Sequence, residues 1–539
     1  MDVSDNSESI VLKAINYYFL RKFEEGLEIL NTISDLPKNK IDMWKLIILS
    51  EQGKEEVLTE AKKLHETARE VDDELLSVGS LCAQAFSMMK IHKFQESLEL
   101  TEIANSIISK QDSEKNIEVE SLKILVLIIF ASSYLGLAEF QKSSEYFEFI
   151  YNSPFMQDYH WHRIRAGYTI LFALRYKENQ SDLLRIAEEV ITIAHELDIG
   201  DNIRIHYRNL VRIQILAEQY DKARETYKEM FSSYKRSSIT PKIIEEFNLD
   251  LEKVIEILKE STKKFASQPI VLDLPSDSYL FVGDIHGDLE ALVRTLSIWK
   301  KNYEHIIFIG DIVDYGNQQL ECLTLITNLM LEFPEKVHVL RGNHETKTIS
   351  SFYGFAIETH LRHSKEIYDI SLKMFKEMPI AAVIDDRVFC THGGIGSKEN
   401  GEVVQLPEIR NFKKNDDLEG DMFQVLWNDP SEDFDDEHKF FGRGLRMTKT
   451  RVFGRRAVEE FCTKSDIETI IRAHSRYDDG YSKFFDGKLW SLFSSKYWDP
   501  KISPKVLGWK KNKFKIYDLW NDTEIKTDFV SKLFEKIKK

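Results

Sequence analysis

Turn-forming residues are spread so unevenly along this chain that its two halves do not read as one architecture. Of 23 glycines, only Gly26, Gly53, Gly79, Gly136, Gly167 and Gly200 precede residue 266, and only Pro37 and Pro154 fall among the first 240 positions. Sequence without such punctuation reads as long helices, whereas glycine-rich sequence reads as short strands running into tight loops. With 539 residues, 42% of them hydrophobic and 12% aromatic, each half can bury a core of its own. The formal charge of −16 repels a phosphate backbone, so general nucleic-acid binding is not expected.

The first half repeats itself. Ala14, Tyr18, Phe23, Gly26 and Leu27 recur in the same spacing as Ala85, Met89, Phe94, Ser97 and Leu98. Tyr134, Phe140 and Ser143 mark a third copy and Leu216, Tyr220 and Ala223 a fourth, with weaker copies near Lys54–Val57 and Ser181–Leu184. About six units follow, with a mean period of roughly 39 residues, inside the range of helical hairpins. The aromatic closes the first helix, the small residue three positions on admits the second, and each hairpin hides its remaining apolar stripe against its neighbours. Residues 8–235 resemble tetratricopeptide repeats, with a period less regular than about 34. The resemblance implies a concave surface for a protein or peptide partner; a plain helical bundle is the other reading. Lys13 and Asn16 do not have the spacing of a carboxylate clamp for chaperone C-termini.

Compartment follows from what the chain carries. Cys82, Cys322, Cys390 and Cys462 are far apart and form no Cys-x-x-Cys pair, which argues against a disulfide framework or zinc ribbon and for a reducing, cytoplasmic setting. The polar, acidic N-terminus has no export pattern. The longest uncharged apolar run, Ile124 to Ala138, is about fifteen residues, short of the roughly eighteen that span a bilayer, so it reads as a buried repeat helix.

An amphipathic stretch from Ile243 to Leu258 precedes a joint at Lys263–Pro269, and from Ser278 short strands alternate with helices. Each strand ends in a polar cluster. Tyr279–Val282 runs into Gly283-Asp284-Ile285-His286-Gly287, and His305–Ile309 into Gly310-Asp311-Ile312-Val313-Asp314-Tyr315-Gly316. Val337–Leu340 runs into Arg341-Gly342-Asn343-His344-Glu345, Val388–Cys390 into Thr391-His392-Gly393-Gly394, and a later apolar run into Arg472-Ala473-His474. Side chains gathered at strand ends build a site on a rigid frame. Carboxylate, imidazole and amide oxygen without thiolate suit manganese, iron or zinc in a working rather than structural site, and two ions are implied.

With these blocks in order, residues 278 to about 500 resemble the metal-dependent phosphoprotein phosphatase family of serine/threonine phosphatases. Met378–Val383, Leu426-Trp427-Asn428-Asp429-Pro430 and Asp479-Gly480-Tyr481 extend the match, and the helical repeats ahead of it resemble the tetratricopeptide-containing branch. The expected layout is a multidomain chain: an all-α helical-repeat solenoid over 1–235, a helical linker over 236–269, an α/β metallophosphoesterase domain with a β-sandwich core flanked by helices over 270–525, and a basic tail over 526–539. The resemblance implies one metal on Asp284, His286 and Asp311 and a second on Asp311, Asn343, His392 and His474. It implies a hydroxide shared by the pair as nucleophile, since a bound dication lowers the pKa of water from about 15.7 to near 7. His344, paired with Asp314, would protonate the departing seryl or threonyl oxygen.

The chain also departs from the family. Tyr315 stands where the family has a phosphate-gripping arginine, replacing a charged bidentate fork with one neutral donor. Arg443 is the first choice for the other phosphate arginine and Arg446 the fallback; Arg341, Asn343 and Tyr315 complete the expected substrate contacts. Lys449, Arg451, Arg455 and Arg456 either compensate for the missing charge or form a solvated basic helix end. Ser494-Ser495-Lys496-Tyr497-Trp498 replaces the family's late loop. The tail from Phe529 to Lys539 reads as a cap on the array or on the active-site mouth, or as a frayed helix. His305 and His338 read as core or strand-edge residues, His360 and His363 as surface residues, and Trp427 as packing beside the site.

Three functions fit this pattern. The first is a protein serine/threonine phosphatase whose array selects or restrains phosphoprotein targets. The second is a metallophosphoesterase acting on phosphodiesters or dinucleoside polyphosphates. The third is a non-catalytic scaffold, against which the whole ligand set argues.

Overall fold

A computed structural model describes residues 7–34, 36–51, 56–91, 93–112, 116–137, 139–173, 180–197, 203–232, 248–416, 418–434, 438–444, 446, 449–496, 501–523, 527–535 and 537. The chain divides into two compact units, Met1–Tyr227 and Lys228–Lys539. The boundary expected at 235 lies outside the described residues.

The first unit is all helix. Its described helices form six consecutive pairs: Ser7–Phe19 with Phe23–Leu30, Lys38–Glu51 with Glu56–Glu70, Glu74–Lys90 with Phe94–Ile108, Ile117–Gly136 with Phe140–Asn152, His160–Ala173 with Gln180–Glu196, and Ile203–Leu216 with Tyr220–Ser232. Each second helix opens at or beside one of the recurring positions read from the sequence. The small residue three places on is buried, with Ser97, Ser143 and Ala223 at 0% exposure. Ser143 Oγ donates to Ala131 O at 2.7 Å in the preceding helix, and Ser133 Oγ donates to Ser97 Oγ at 3.0 Å from the next hairpin. The aromatic instead lies half out: Phe140 is 39% and Tyr220 45% exposed. Asp73 and Asn116 cap their helices by accepting backbone N–H groups, as short polar side chains do at a helix start. The apolar run belongs to Ile117–Gly136, a 20-residue helix that begins earlier than the run and is long and apolar enough to cross a membrane; 67% of its apolar window is buried within the protein. Its partners are neighbouring repeat helices, and Trp44 Nε1 donates to Glu118 Oε1 at 3.0 Å on its first turn.

The second unit contains fourteen described strands: β1 Val271–Leu274, β2 Tyr279–Val282, β3 His305–Phe308, β4 Val337–Val339, β5 Ala381–Ile384, β6 Val388–Thr391, β7 Asp429–Pro430, β8 Phe441–Arg443, β9 Arg451–Phe453, β10 Thr469–Arg472, β11 Tyr481–Phe484, β12 Leu489–Leu492, β13 Lys505–Lys510 and β14 Lys513–Asp518. One sheet has the order β1-β5-β6-β10-β12-β11 and a second β14-β13-β2-β3-β4, with a small β7-β9-β8 sheet beside them. Strands β2, β3 and β4 are mutually parallel, as are β6, β10 and β12. Alternation along β2 decides the layers: Tyr279 and Phe281 join Ile307, Cys390, Ile471 and Leu492 in a core between the sheets, while Leu280 and Val282 face helices. A third cluster packs helices on the outer face of the other sheet. The β-sandwich flanked by helices is as expected.

Two segments differ from expectation. The Leu251–Ala266 helix is not a linker: Val254, Leu258 and Phe265 are at 0% exposure in the core of the second unit. An amphipathic stripe announces a helix but not the surface it will cover. In the described part of the tail, Phe534 and Ile537 are buried in the same core and Asp250 N donates to Ile537 O at 3.1 Å, so this part is packed and not frayed. His305 stacks on Tyr279 with ring centroids 4.6 Å apart, and His338 is buried beside it, so both are core residues.

Candidate active site

Every expected ligand, and the expected acid His344, sits just past a strand's C-terminal end: Asp284 and His286 after β2, Asp311 after β3, Asn343 and His344 after β4, His392 after β6 and His474 after β10. The loops are tight. Gly310 has φ +96°, and a Cβ there would run into the backbone of Gly342, so the β3 and β4 loops touch directly. His286, Asp311, Asp314, Tyr315 and His474 all have positive φ between 46° and 72°. Each such non-glycine residue costs about 1–2 kcal/mol, a strain that surrounding contacts must hold.

Glu345 supplies much of that hold. Fully buried, its carboxylate accepts N–H groups from Asp311 (2.8 Å), Ile312 (2.8 Å), Val313 (3.3 Å) and Gly342 (2.8 Å), clamping two ligand loops together. His474 N donates to Asp284 Oδ1 at 2.8 Å and Asp284 pairs with Phe493, which joins the two sheets at the site.

The ligand atoms converge on Asp311. Its Oδ2 lies 3.1 Å from His392 Nε2, 3.7 Å from His286 Nε2 and 3.8 Å from His344 Nε2, and Asp284 Oδ2 is 3.6 Å from His286 Nε2. His392 Nε2 also lies 2.9 Å from Asn343 Oδ1. Ligands about 2.1 Å from one ion at right angles stand about 3 Å apart, so these separations suit a shared dication. Second contacts fix the ring tautomers. His286 Nδ1 donates to Val313 O (2.7 Å) and His392 Nδ1 to Ile309 O (2.8 Å), leaving both Nε2 lone pairs for metal. His474 Nε2 is buried with no hydrogen-bond partner, as a ligand nitrogen awaiting its ion would be. Burial, reinforced by the charge of His344, pushes His286 down to about 3. Burial and then Arg446 lower His474, so both rings present neutral donors. Burial and the neighbouring Asp311 push Asp284 up to about 6 in the absence of a cation, a repulsion that two dications relieve. The residues therefore fit a two-metal centre.

His344 differs from the other imidazoles. Burial alone would lower it, but Asp311 and the 2.6 Å hydrogen bond from Nδ1 to Asp314 Oδ2 push it up to about 9. Asp314 is itself fixed: Oδ1 accepts from Phe355 N at 2.9 Å, and its own N–H donates to Gln319 Oε1 at 2.8 Å. His344 Nε2 gathers with His286 and Asp311 closely enough to share an ion, but a cationic imidazolium repels a metal and can give up its Nε2 proton, which suits the ring to serve as an acid.

These groups line a cavity of about 460 Å³ together with Tyr315, Tyr353, Trp427, Arg446, Ser475 and Phe493. Both Arg446 and Arg476 reach it. Arg446 Nε donates to Asp429 Oδ2 at 2.6 Å and Nη2 to His474 O at 3.1 Å, with the side chain 38% exposed. Asp429 is held in turn by Arg472 Nη2 (2.9 Å) and Ser475 Oγ (2.6 Å). The Arg443 side chain lies outside the described residues. Arg341 is a correction: it is buried, and its guanidinium donates to the carbonyls of Glu345, Asn415 and Asp416, so it fastens a loop and does not face substrate. Tyr315 packs edge-on to His286 with centroids 4.8 Å apart. Trp427 packs on His474 at 5.5 Å as well as lining the cavity. Arg455 pairs with Asp486 and Arg456 lies over Phe440, which matches the solvated helix end. In the late loop, Ser494 Oγ accepts from Gly283 N at 2.8 Å, while Tyr497 and Trp498 lie outside the described residues.

Sequence reasoning missed the work of Glu345 and Asp429, although both stand inside quoted motifs; a carboxylate in an otherwise glycine-rich or apolar run was the available signal. His363 is a second correction, because its Nε2 is shielded from solvent and burial pushes the ring down to about 3. His360 is half-buried, with Nδ1 donating to Ala356 O at 2.6 Å.

Residues 278–476 match the calcineurin-like phosphoesterase family. The chain is 31% identical over 269 residues to serine/threonine-protein phosphatase BSL2 of Arabidopsis thaliana, covering 47% of this chain and 26% of that protein. It thus spans about a quarter of the length of this curated relative. A protein serine/threonine phosphatase structure from Saccharomyces cerevisiae, described as similar to human phosphatase PP5, aligns with TM-score 0.46 and 21% identity over 53% of this chain and 96% of that one.

Proposed function

We propose that the chain is a serine/threonine protein phosphatase: its phosphoesterase unit hydrolyses phosphoserine and phosphothreonine, and its tetratricopeptide-like helices recruit or restrain the phosphoprotein. The observation that carries this reading is His344, kept protonated at the cavity wall by Asp314, beside two sets of metal ligands and Arg446. Asp284, His286 and Asp311 would hold one dication and Asp311, Asn343, His392 and His474 the other, with manganese the first choice and iron or zinc the alternatives. Bound there, the pair supplies Lewis-acid neutralisation of phosphate charge and a water acidic enough to act at neutral pH. Arg446, steadied by Asp429, grips a phosphate oxygen from the open side. His344 Nε2 gives its proton to the departing seryl or threonyl oxygen, and Asp314 keeps the ring oriented for the next turnover. Four buried, free cysteines suit the cytoplasmic setting that belongs to the same proposal.

Tyr315 favours a second reading, hydrolysis of phosphodiesters or dinucleoside polyphosphates, because one phosphate-gripping cation is replaced by an aromatic ring. Turnover of a phosphoserine peptide, a bis-aryl phosphodiester and a dinucleoside tetraphosphate by one manganese-loaded preparation separates the two. The phosphopeptide is expected to be the best substrate; preference for either of the others rejects the protein-phosphatase reading. His344→Asn is expected to lower kcat by ~10²–10⁴-fold with metal content retained.

A further inference from the structure

A second polar cluster lies away from the catalytic cavity. Glu321, on the Gln319–Glu332 helix, is 1% exposed, and Glu358, on the Phe355–Arg362 helix, is 0% exposed. With His363, which follows that helix, they bring two carboxylates and an imidazole within 4.8 Å of one another. The cluster opens to solvent through a cleft of about 980 Å³ lined by Asp250, Leu251, Glu252, Glu321, Arg362 and His363.

Its internal pairing is incomplete. Arg362 Nη2 donates to Glu321 Oε1 at 2.7 Å and Nη1 to Asn317 O at 2.6 Å, with Nη1 3.7 Å from Glu358 Oε1. Glu358 Oε1 accepts the N–H groups of Gln319 and Leu320 at 3.0 Å each. After these contacts Glu321 Oε2 and His363 Nε2 remain buried without a hydrogen-bond partner. The Arg362 guanidinium is shared between the two carboxylates, and Asp250 and Glu252 at the cleft add to the field that draws a cation inward. Burial keeps the His363 ring neutral, with a lone pair to offer.

We infer that Glu321, Glu358 and His363 form a third dication site of the zinc class, separate from the catalytic pair, with its open position filled by water from the cleft. One imidazole nitrogen among carboxylates favours zinc, cobalt or manganese over calcium or magnesium, which take oxygen ligands. The rival occupant is a proton shared by Glu321 and Glu358, since burial raises both carboxyls, Glu358 to about 7. The site stands close behind the catalytic acid: Glu358 accepts from Gln319 N, and the Gln319 side chain accepts from Asp314 N.

The site stands whether or not the protein-phosphatase reading does, and metal counting tests it. The full chain is stripped with chelator, dialysed against excess zinc, freed of unbound ion and analysed for metal at pH 7.5, as wild type, His363→Phe and Glu321→Gln. The expected result is one equivalent fewer in each variant than in wild type, with orthophosphate release measured separately as the readout of the catalytic centre. Loading with cobalt is expected to give a visible band in wild type that is diminished in both variants. Equal metal content in all three proteins overturns the inference and leaves the shared proton as the occupant. Glu321→Gln decides the matter where His363→Phe does not fold, because it leaves the ring and its packing in place.

Discussion

The two units spend left-handed backbone in different places. Among the described residues of the helical unit, the non-glycine residues with positive φ are Arg21, Asp72 and Glu218, each at a helix end or in the turn that follows. In the second unit Asp385, Asp386, Asp466, Phe485, Asp486, Lys511 and Asn512 share it in turns and at a helix end, but so do His286, Asp311, Asp314, Tyr315 and His474, which belong to or touch the metal and acid groups. Strain in the first unit therefore only reverses the chain, whereas in the second it also aims functional side chains. The helical unit consequently needs nothing beyond repeated packing, while the phosphoesterase unit needs clamps such as Glu345.

The sharpest way to break this contrast is to remove a clamp. Glu345→Gln leaves either Asp311 and Gly342 or Ile312 and Val313 facing an amide NH₂ in place of a carboxylate oxygen. It is expected to destabilise the phosphoesterase unit by about 3 kcal/mol and weaken metal binding ~10–100-fold. Denaturant unfolding followed through tryptophan fluorescence, with metal titration, measures both; hydrogen exchange in the repeat helices is expected to stay unchanged.

A smaller effect distinguishes the helical unit by pH. Burial, aided by Arg165 and Arg21, pushes His162 down to about 3, against about 6.5 in an unfolded chain. The unfolded chain then binds the extra proton between these values, so stability conferred by the neutral ring is complete above pH 6.5 and is lost as pH falls toward 3. His162→Phe is expected to flatten that loss, read as slower hydrogen exchange in the His160–Ala173 helix at pH 5 relative to wild type at the same pH. An unchanged pH slope contradicts the assignment.

The smallest effect is a gain. Glu218 is exposed with φ 58°, and Glu218→Gly relieves a turn that aims nothing. An increase of about 0.5–1 kcal/mol in the stability of the helical unit is expected from thermal unfolding. Any glycine substitution at Asp311 or His474 that likewise preserved activity would erase the distinction between the two units.

What was legible in the sequence was whatever is local. A strand of four or five apolar residues followed by Asp, His or Asn fixes both the element and the end from which the side chain projects, so these residues were legible as strand-end neighbours. The hairpins were legible for the same reason, because the aromatic and the small residue are neighbours on one helix. What failed depended on distant partners. Arg341 is held by Asn415 and Asp416, more than seventy positions away, and nothing near Arg341 announces this. The amphipathic Leu251–Ala266 helix gives no sign of which unit it covers, and His363 is shielded only because separate helices close around it. Arg446 is held at the cavity by Asp429 and by the carbonyl of His474, which lie seventeen and twenty-eight positions away.

The division of the ligands between two sheets has a mechanical consequence. β2, β3 and β4 deliver their share from one layer and β6 and β10 theirs from the other, so the thickness of the apolar filling made by Phe281, Ile307, Cys390 and Ile471 works as a shim that calibrates the gap between the two groups of donors. Trimming a methyl group from that filling is felt as a detuned ion pair long before the sandwich itself comes apart.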